Sequence, residues 1–180
     1  MRAPARPGSP IVVTVDRCDG CGFEYDLTLA PDAAERIVGG VATIAGLLGN
    51  TAVERLRARP QAETWSPLEY GCHVRDVLLV QRERVLAARR TTRPSFDPMG
   101  RDERVEHDGY AAQSPQDVAR QLNDAARMFA NVLDRLQPED WERKVTYNYP
   151  VRLERSLGWV AVHTEHEVKH HLLDCQAQLS

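Results

Sequence analysis

The sequence predicts an all-α protein, a four-helix bundle with a small N-terminal β-hairpin and knuckle extension. Apolar residues recur at spacings of three and four in four long stretches, which is the period of an amphipathic helix. Two of these stretches begin with Ser-Pro followed by an acidic residue, at residues 66–69 and 114–117, and this is a helix start signal. Segments with strand character are short and lie outside the four stretches. The helices are therefore expected to pack on one another.

The composition is typical of a soluble globular domain. The chain has 180 residues, of which 42% are hydrophobic and 27% charged, and it is long enough to bury its own core. A net charge of −3 argues against a general nucleic-acid binder, and no apolar run approaches the ~20 residues that a membrane span needs. Residues 1–10 lack the apolar region of a secretory signal. We therefore expect a cytoplasmic protein with no nucleic-acid and no membrane partner.

The chain divides into a disordered tail at residues 1–10, a hairpin with a Cys-x-x-Cys knuckle at 11–30, and the bundle at 31–180. A β-branched run at 11–15 and an alternating run at 23–29 predict the two strands, with Cys18 and Cys21 in the turn between them. In zinc ribbons such a knuckle supplies two thiolates, and its glycines let the backbone fold around the ion.

Three interpretations of Cys18 and Cys21 stay open. They are a tight turn with two reduced thiols, a structural second metal completed by distant ligands, and a redox pair. The redox interpretation is weakened because no β-α-β pattern follows the motif. Four cysteines in 180 residues do not make a disulfide scaffold.

The first two helices are predicted from their start signals. Asp32, with Glu35 three residues on, has the spacing of a capping box and opens a helix to about Leu48, which is interrupted at residues 49–50 and resumes to Arg59. The second helix begins with Ser66 as N-cap, a proline at the first helical position and Glu69 closing the box. Its apolar stripe includes His73, about two turns in.

The second half of the chain contains the other two helices and two long connections. The third helix begins at Ser114 and ends before Pro138, and the fourth covers about residues 156–178. Residues 91–113 are polar and predict a long loop, which could close a pocket as a lid and leave His107 exposed. Residues 144–151 have strand character.

Four of the six histidines lie within nine residues of the fourth helix. His166 and His170 are one turn apart, and His163 lies on the same stripe one turn earlier. Two imidazoles at this spacing can bind one metal ion, and His73 on the second helix would supply a third nitrogen. Three protein ligands with open positions are typical of a catalytic metal. The alternative is that the histidines only titrate on a surface.

Two stretches together resemble the DinB-like superfamily, over roughly residues 33–178. They are residues 65–69 (Trp-Ser-Pro-Leu-Glu) followed by His73, and residues 166–171 (His-Glu-Val-Lys-His-His). The resemblance implies a four-helix bundle that binds a divalent metal, zinc or alternatively nickel, through three residues. The family's relatives include thiol-dependent S-transferases and mycothiol-dependent maleylpyruvate isomerase.

Carried over by this resemblance, the metal ligands are His73, His166 and His170. In the isomerase-like branch a glutamate replaces one histidine. With three histidines the sequence departs from that branch, and maleylpyruvate isomerisation is in doubt. The resemblance transfers nothing to the knuckle.

The resemblance implies thiol chemistry at a metal. We expect a metal-dependent S-transferase that activates a low-molecular-weight thiol such as mycothiol, with His163 as the catalytic proton carrier or as a partner of a ligand. One alternative is a metal-dependent hydrolase using a metal-bound water, with Glu167 or Glu69 as the base. Another is a non-catalytic metal-binding bundle of a stress response. The partner is then a small-molecule substrate or thiol, and dimerisation through the first or third helix stays open.

Overall fold

The structure is a computed structural model that describes residues 17–148 and 152–180. Its α-helices are, in chain order, α1 Ala33–Asn50, α2 Val53–Arg57, α3 Pro67–Arg90, α4 Arg101–His107, α5 Pro115–Leu133 and α6 Leu157–Leu179. The four long helices α1, α3, α5 and α6 form the predicted bundle. No helix in the described part of the chain is long and apolar enough to cross a membrane.

The order of the long helices around the bundle differs from a simple up-and-down chain. Helix α5 packs against α1 and α3, and α6 packs against the same two helices from the other side. The consecutive helices α5 and α6 are therefore diagonal to each other, and so are α1 and α3, which touch far less. The diagonal pairs are joined by residues 51–66, between α1 and α3, and by the connection from α5 to α6, and both connections are long enough to cross the bundle.

The predicted apolar stripes form the core. Buried side chains of α1 and α5 interlock in the centre of the bundle, among them Ile37, Ile44, Leu48, Leu122 and Phe129. Truncation of such a buried side chain to alanine typically costs ~2–5 kcal/mol, because transfer free energy is lost and a cavity remains. The approach of α1 to α6 is close, since a Cβ on Gly40 would lie 2.7 Å from Val168 Cγ1.

The start of α3 confirms the predicted capping box. The Ser66 amide donates to Glu69 Oε2 at 2.8 Å, and the Glu69 amide donates to the Ser66 hydroxyl. Arg59, two residues after the end of α2, donates to both oxygens of the buried Glu69 carboxylate. Burial alone would raise the pKa of Glu69, but hydrogen bonds from Arg59 and Ser66 hold that pKa below its usual value. This anchor fixes the first turns of α3, on which His73 lies.

The second strand of the N-terminal hairpin, predicted at residues 23–29, is not formed. An isolated antiparallel bridge joins Arg17 and Glu24 around the turn, but the alternating run does not continue as a strand. It becomes the 3-10 helix Leu27–Asp32, because the Asp26 side chain accepts from the Thr28 amide and caps that helix. The Asp32 side chain makes no capping hydrogen bond to α1. The tail at 1–10 and the strand at 11–15 lie outside the described residues.

The segment predicted as a long loop contains regular structure. It holds β1 Ser95–Phe96 and α4, with the predicted exposed His107 at the end of α4. β1 pairs in parallel with β2 Lys144–Tyr147, and β2 pairs antiparallel with β3 Leu153–Ser156. The predicted strand at 144–151 is confirmed as far as residue 147, and residues 149–151 lie outside the description.

A buried ionic cluster ties this segment to the bundle. Asp76 on α3 accepts from Arg75 Nε at 2.8 Å, Arg104 Nη1 at 3.0 Å and the Tyr110 hydroxyl at 2.7 Å. Burial alone would raise the pKa of Asp76, but the hydrogen bonds from Arg75 and Tyr110 hold that pKa below its usual value. The carboxylate is therefore charged in the folded protein and stabilises it.

Replacing Asp76 with alanine should lower the free energy of unfolding by about 3 kcal/mol at pH 7, since two guanidinium groups lose a buried counter-charge. This corresponds to a fall of ~6–12 °C in Tm, measured by circular dichroism. Because the folded pKa of Asp76 is depressed, the difference from wild type should shrink as pH falls below about 4. The exposed pair of Asp124 and Arg127 gives the control, since Asp124→Ala should cost less than ~1 kcal/mol. Equal effects of the two variants would contradict a structural role for Asp76.

Candidate metal centre

The histidine-rich face of α6 borders a cavity of about 450 Å³. Its lining comes from α3, from the segment between α3 and α4, from the small sheet and from α6. The α6 residues on it are His163, His166, Glu167, His170 and His171, and His73 faces them from α3. A larger and more open depression of about 1090 Å³ lies around Arg75 and Arg104, and none of these six residues lines it.

Three of these residues converge on one point. The Nε2 atoms of His73 and His171 each lie 3.7 Å from Glu167 Oε2. Tetrahedral ligands at ~2.1 Å from a metal ion are roughly 3.4 Å apart, so this spacing is close to that of a bound set. We call His73, Glu167 and His171 the His73 centre.

The surroundings of the His73 centre orient its ligands. The Nδ1 atom of His171 lies 2.9 Å from Asp174 Oδ2, which is the carboxylate contact that metal-binding histidines commonly make. The His171 ring stacks on Tyr70, and the His73 ring packs on Trp65. These contacts direct both Nε2 atoms toward Glu167.

The electrostatics of the His73 centre favour a cation. Burial lowers the pKa of His73, so its imidazole is kept neutral. Burial also opposes the charge on His171, but Asp174 and Glu167 outweigh it and raise the pKa of His171 to about 9. Burial would raise the pKa of Glu167, yet the rings of His171 and His73 hold it well below its usual value. The Glu167 carboxylate is thus held ionised between two imidazoles, which is an arrangement that a divalent cation can bind.

The structure does not gather the predicted ligand set of His73, His166 and His170. Within the described residues it groups His73 with Glu167 and His171, and His166 and His170 with the knuckle cysteines; His166 also lies near His163 and Glu167, and His170 near His171 and Asp174. The cause is the helical step of about 100°, which points residues 167 and 171 toward α3 and residues 166 and 170 toward the N-terminal segment. The pairs His166/His170 and Glu167/His171 have the same i, i+4 spacing in the sequence. The spacing alone therefore does not show which pair faces His73.

His163, the predicted catalytic residue, lies beside this centre. Its Nε2 atom is 3.8 Å from Glu167 Oε1, and its Nδ1 atom is 2.9 Å from the Tyr25 hydroxyl. Its ring stacks on Trp159 with the centroids 4.4 Å apart. Burial lowers the pKa of His163. A neutral imidazole is therefore held at the edge of the cavity, and its catalytic role stays a prediction.

Three arginines that surround the cavity were not singled out as a set by the sequence. Arg84 stacks on Tyr147, Arg155 stacks on Trp159, and Arg101 lies over the ring of Trp65. Asp97 and Glu167 are the acids in the same lining. Because the guanidinium groups outnumber the carboxylates, the cavity suits an anionic ligand.

Two further residues of the site, Tyr25 and Asp174, were also missed. Asp174 is three residues from His171, and this helical spacing was a readable signal. Tyr25 carried no such signal, because its contact with His163 depends on how the N-terminal segment lies across α6.

Comparison with known proteins gives a family and a fold. The model of the DinB superfamily matches residues 40–175. The structure is similar to that of YfiT from Bacillus subtilis, described as a probable metal-dependent hydrolase with an unusual four-helix bundle topology. The TM-score is 0.73 at 12% sequence identity, over 83% of this chain and 87% of that chain. No curated protein matches the sequence.

Removal of the His73 side chain should empty the His73 centre. We expect His73→Ala and the bulkier His73→Gln to contain one equivalent of divalent metal less than wild type, measured by elemental mass spectrometry on the purified protein. His107→Ala removes an exposed histidine of α4 and should leave the metal content unchanged. If both His73 variants retained the full metal content while folded, these three residues would not be the ligands.

Proposed function

The chain belongs to the DinB superfamily, and we propose that it is a metal-dependent enzyme whose divalent ion, zinc or nickel, is held by His73, Glu167 and His171. The donor set fits such an ion, because two imidazole nitrogens and one carboxylate oxygen are typical of catalytic zinc. The observation that carries the proposal is the convergence of these three side chains on the wall of an arginine-bordered cavity.

We propose further that the substrate pair is a low-molecular-weight thiol, such as mycothiol, and an electrophile. With Glu167 as a ligand, the set acquires the carboxylate that the family resemblance gives to the isomerase-like branch. The chain was separated from that branch because its three predicted ligands were all histidines. With Glu167 among the ligands, this difference disappears. The arginines of the cavity lining also suit either kind of thiol, because a guanidinium donates hydrogen bonds to the carboxylates of glutathione and to the sugar hydroxyl groups of mycothiol.

A bound divalent cation would lower the pKa of a thiol and stabilise its thiolate. The residues of the chain then bind and orient the reactants. Arg101 and Arg155 would contact the polar groups of the thiol, and Trp65 and Trp159 provide apolar walls beside them. In the transfer, the thiolate sulfur forms a bond to the electrophilic carbon, the leaving group departs with the bonding electrons, and the thiol proton goes to solvent.

We assign His163 the task of holding a proton at Nε2, on the side of the cavity. From there it faces Glu167 Oε1, 3.8 Å away, and can donate to a bound substrate. Its stacking on Trp159 fixes the plane of the ring.

Hydrolysis is the second candidate, and the description of YfiT favours it. The expected carboxylate base is hard to supply, however. Glu69 is 1% exposed and paired with Arg59, and Glu167 belongs to the ligand set. A hydrolase at this centre would therefore depend on His163 as its base. Dimerisation and a cytoplasmic location stay predictions from the sequence.

The arginines that line the cavity, Arg84, Arg101 and Arg155, allow a test of the thiol proposal. With the metal-loaded protein and a fluorogenic halide electrophile, Arg101→Ala should raise the KM for an acidic thiol about tenfold and leave kcat nearly unchanged, since a charged contact made in ground and transition state is lost. The thiols to compare are glutathione, which carries carboxylates, mycothiol, which carries sugar hydroxyl groups and no carboxylate, and mercaptoethanol, for which no change is expected. Arg120→Ala on α5 is the control, because Arg120 is exposed and paired with Asp117.

Two outcomes would contradict the proposal. Cleavage of esters or amides without any thiol requirement would identify a hydrolase. Absence of both activities in a protein that retains its metal would favour the non-catalytic bundle.

A further inference from the structure

The knuckle cysteines lie against the second histidine pair of α6. Cys18, Cys21, His166 and His170 each offer a ligand atom, and these four atoms lie within 4.8 Å of one another. The Sγ atom of Cys18 is 3.5 Å from His170 Nδ1. Tetrahedral zinc with bonds of ~2.3 Å to sulfur and ~2.1 Å to nitrogen separates sulfur from nitrogen by roughly 3.6 Å, so the observed spacing suits such an ion.

The knuckle is a tight turn closed by two backbone hydrogen bonds. The Gly22 amide donates to the Cys18 carbonyl at 2.8 Å, and the Cys18 amide donates to the Phe23 carbonyl at 2.9 Å. Gly22 has a φ of +69°, which a residue with a Cβ rarely adopts. A Cβ on Gly20 would lie 3.0 Å from His170 Cε1, so the turn is pressed against the imidazole.

One buried nitrogen requires a partner. His166 is 9% exposed, and its Nε2 atom has no hydrogen-bond partner among the described residues. Its other nitrogen, Nδ1, lies 2.8 Å from the Tyr25 hydroxyl. An unsatisfied buried polar atom costs ~1–3 kcal/mol, and a metal ion among these four residues would remove that cost.

The two other interpretations of the knuckle leave this nitrogen unexplained. A plain turn with two thiols gives His166 Nε2 no bond. A disulfide between Cys18 and Cys21 would consume both sulfurs and likewise leave the nitrogen without a partner, and the described cysteines are free.

We propose that Cys18, Cys21, His166 and His170 form a second metal centre, a structural zinc site that fastens the N-terminal segment to α6. We call these four residues the knuckle centre. Two thiolates and two imidazoles are a closed tetrahedral set with no position left for substrate, as in structural zinc sites. The proposal is independent of the reaction at the His73 centre.

The knuckle centre has a consequence for the neighbouring site. With zinc on His166 Nε2, the proton of that imidazole is at Nδ1, from which it donates to the Tyr25 oxygen at 2.8 Å. The hydroxyl hydrogen of Tyr25 can then be donated to His163 Nδ1, 2.9 Å away. That bond places the proton of His163 on Nε2, the nitrogen that faces Glu167. The structural ion thus selects the tautomer of a residue beside the His73 centre.

The test is the metal stoichiometry of the full chain, measured by elemental mass spectrometry. Wild type should contain two metal ions, of which at least one is zinc, and Cys18→Ser/Cys21→Ser and His170→Ala should each contain one. Cys72→Ala is the matched control, because it removes a buried thiol outside the centre and should retain both ions. His73→Gln should lose only the other ion.

Cobalt substitution identifies the ligands without reliance on zinc counts. The cobalt-loaded wild type and His73→Gln should show a thiolate-to-cobalt charge-transfer band, and the double cysteine variant should lack it. Gly20→Ala should weaken this cobalt binding on the order of tenfold, because the new Cβ displaces the His170 ring. Gly39→Ala, which meets no atom within 4 Å, is its control.

The outcomes separate this proposal from the proposed function. One ion that is lost in His73→Gln and unaffected by the cysteine variants, with no charge-transfer band, would overturn the knuckle centre alone. One ion with the opposite dependence would support the knuckle centre and contradict the His73 centre.

Discussion

The helical step of about 100° per residue on α6 is the constraint on which both centres depend. Glu167 and His171 point toward α3, where they meet His73, and His166 and His170 point toward the N-terminal segment, where they meet the knuckle. The two pairs are offset by one residue, so a single helix supplies ligands in two directions. A one-residue change in the register of α6 would dismantle both sets at once.

The two centres also have supporting residues in common. Asp174 Oδ2 lies 2.9 Å from His171 Nδ1 and 3.7 Å from His170 Nε2, so one carboxylate faces an imidazole of each set. Tyr25 bridges His166 and His163 in the same way on the preceding turn. Residues that orient ligands are commonly as consequential for a metal site as the ligands themselves. The N-terminal segment is therefore part of the site and not an appendage to it.

Much of this architecture could be predicted from the sequence. Local signals sufficed for the bundle, since the capping box at Ser66 and the apolar stripes of α1 and α5 are properties of neighbouring residues. The alternation of apolar and polar residues at 23–29 predicted a strand. That prediction is wrong, because Asp26 caps a 3-10 helix that begins at Leu27. The sequence alone could not predict which histidines of α6 face α3 and which face the knuckle. The two overlapping i, i+4 pairs are equivalent until the positions of α3 and the knuckle are known. The approach of Arg84, Arg101 and Arg155 to one cavity likewise depends on tertiary packing, because they are far apart in the sequence.

The diagonal placement of α5 and α6 bears on how the protein is made. His73 lies on the second long helix, and its partners Glu167 and His171 lie on the last one. The knuckle precedes the whole bundle, yet its histidines are also on α6. Domains form on the ribosome from the N-terminus onward. Neither set of ligands can close until α6 has emerged and docked between α1 and α3, so ion capture would have to wait for the synthesis of all four long helices.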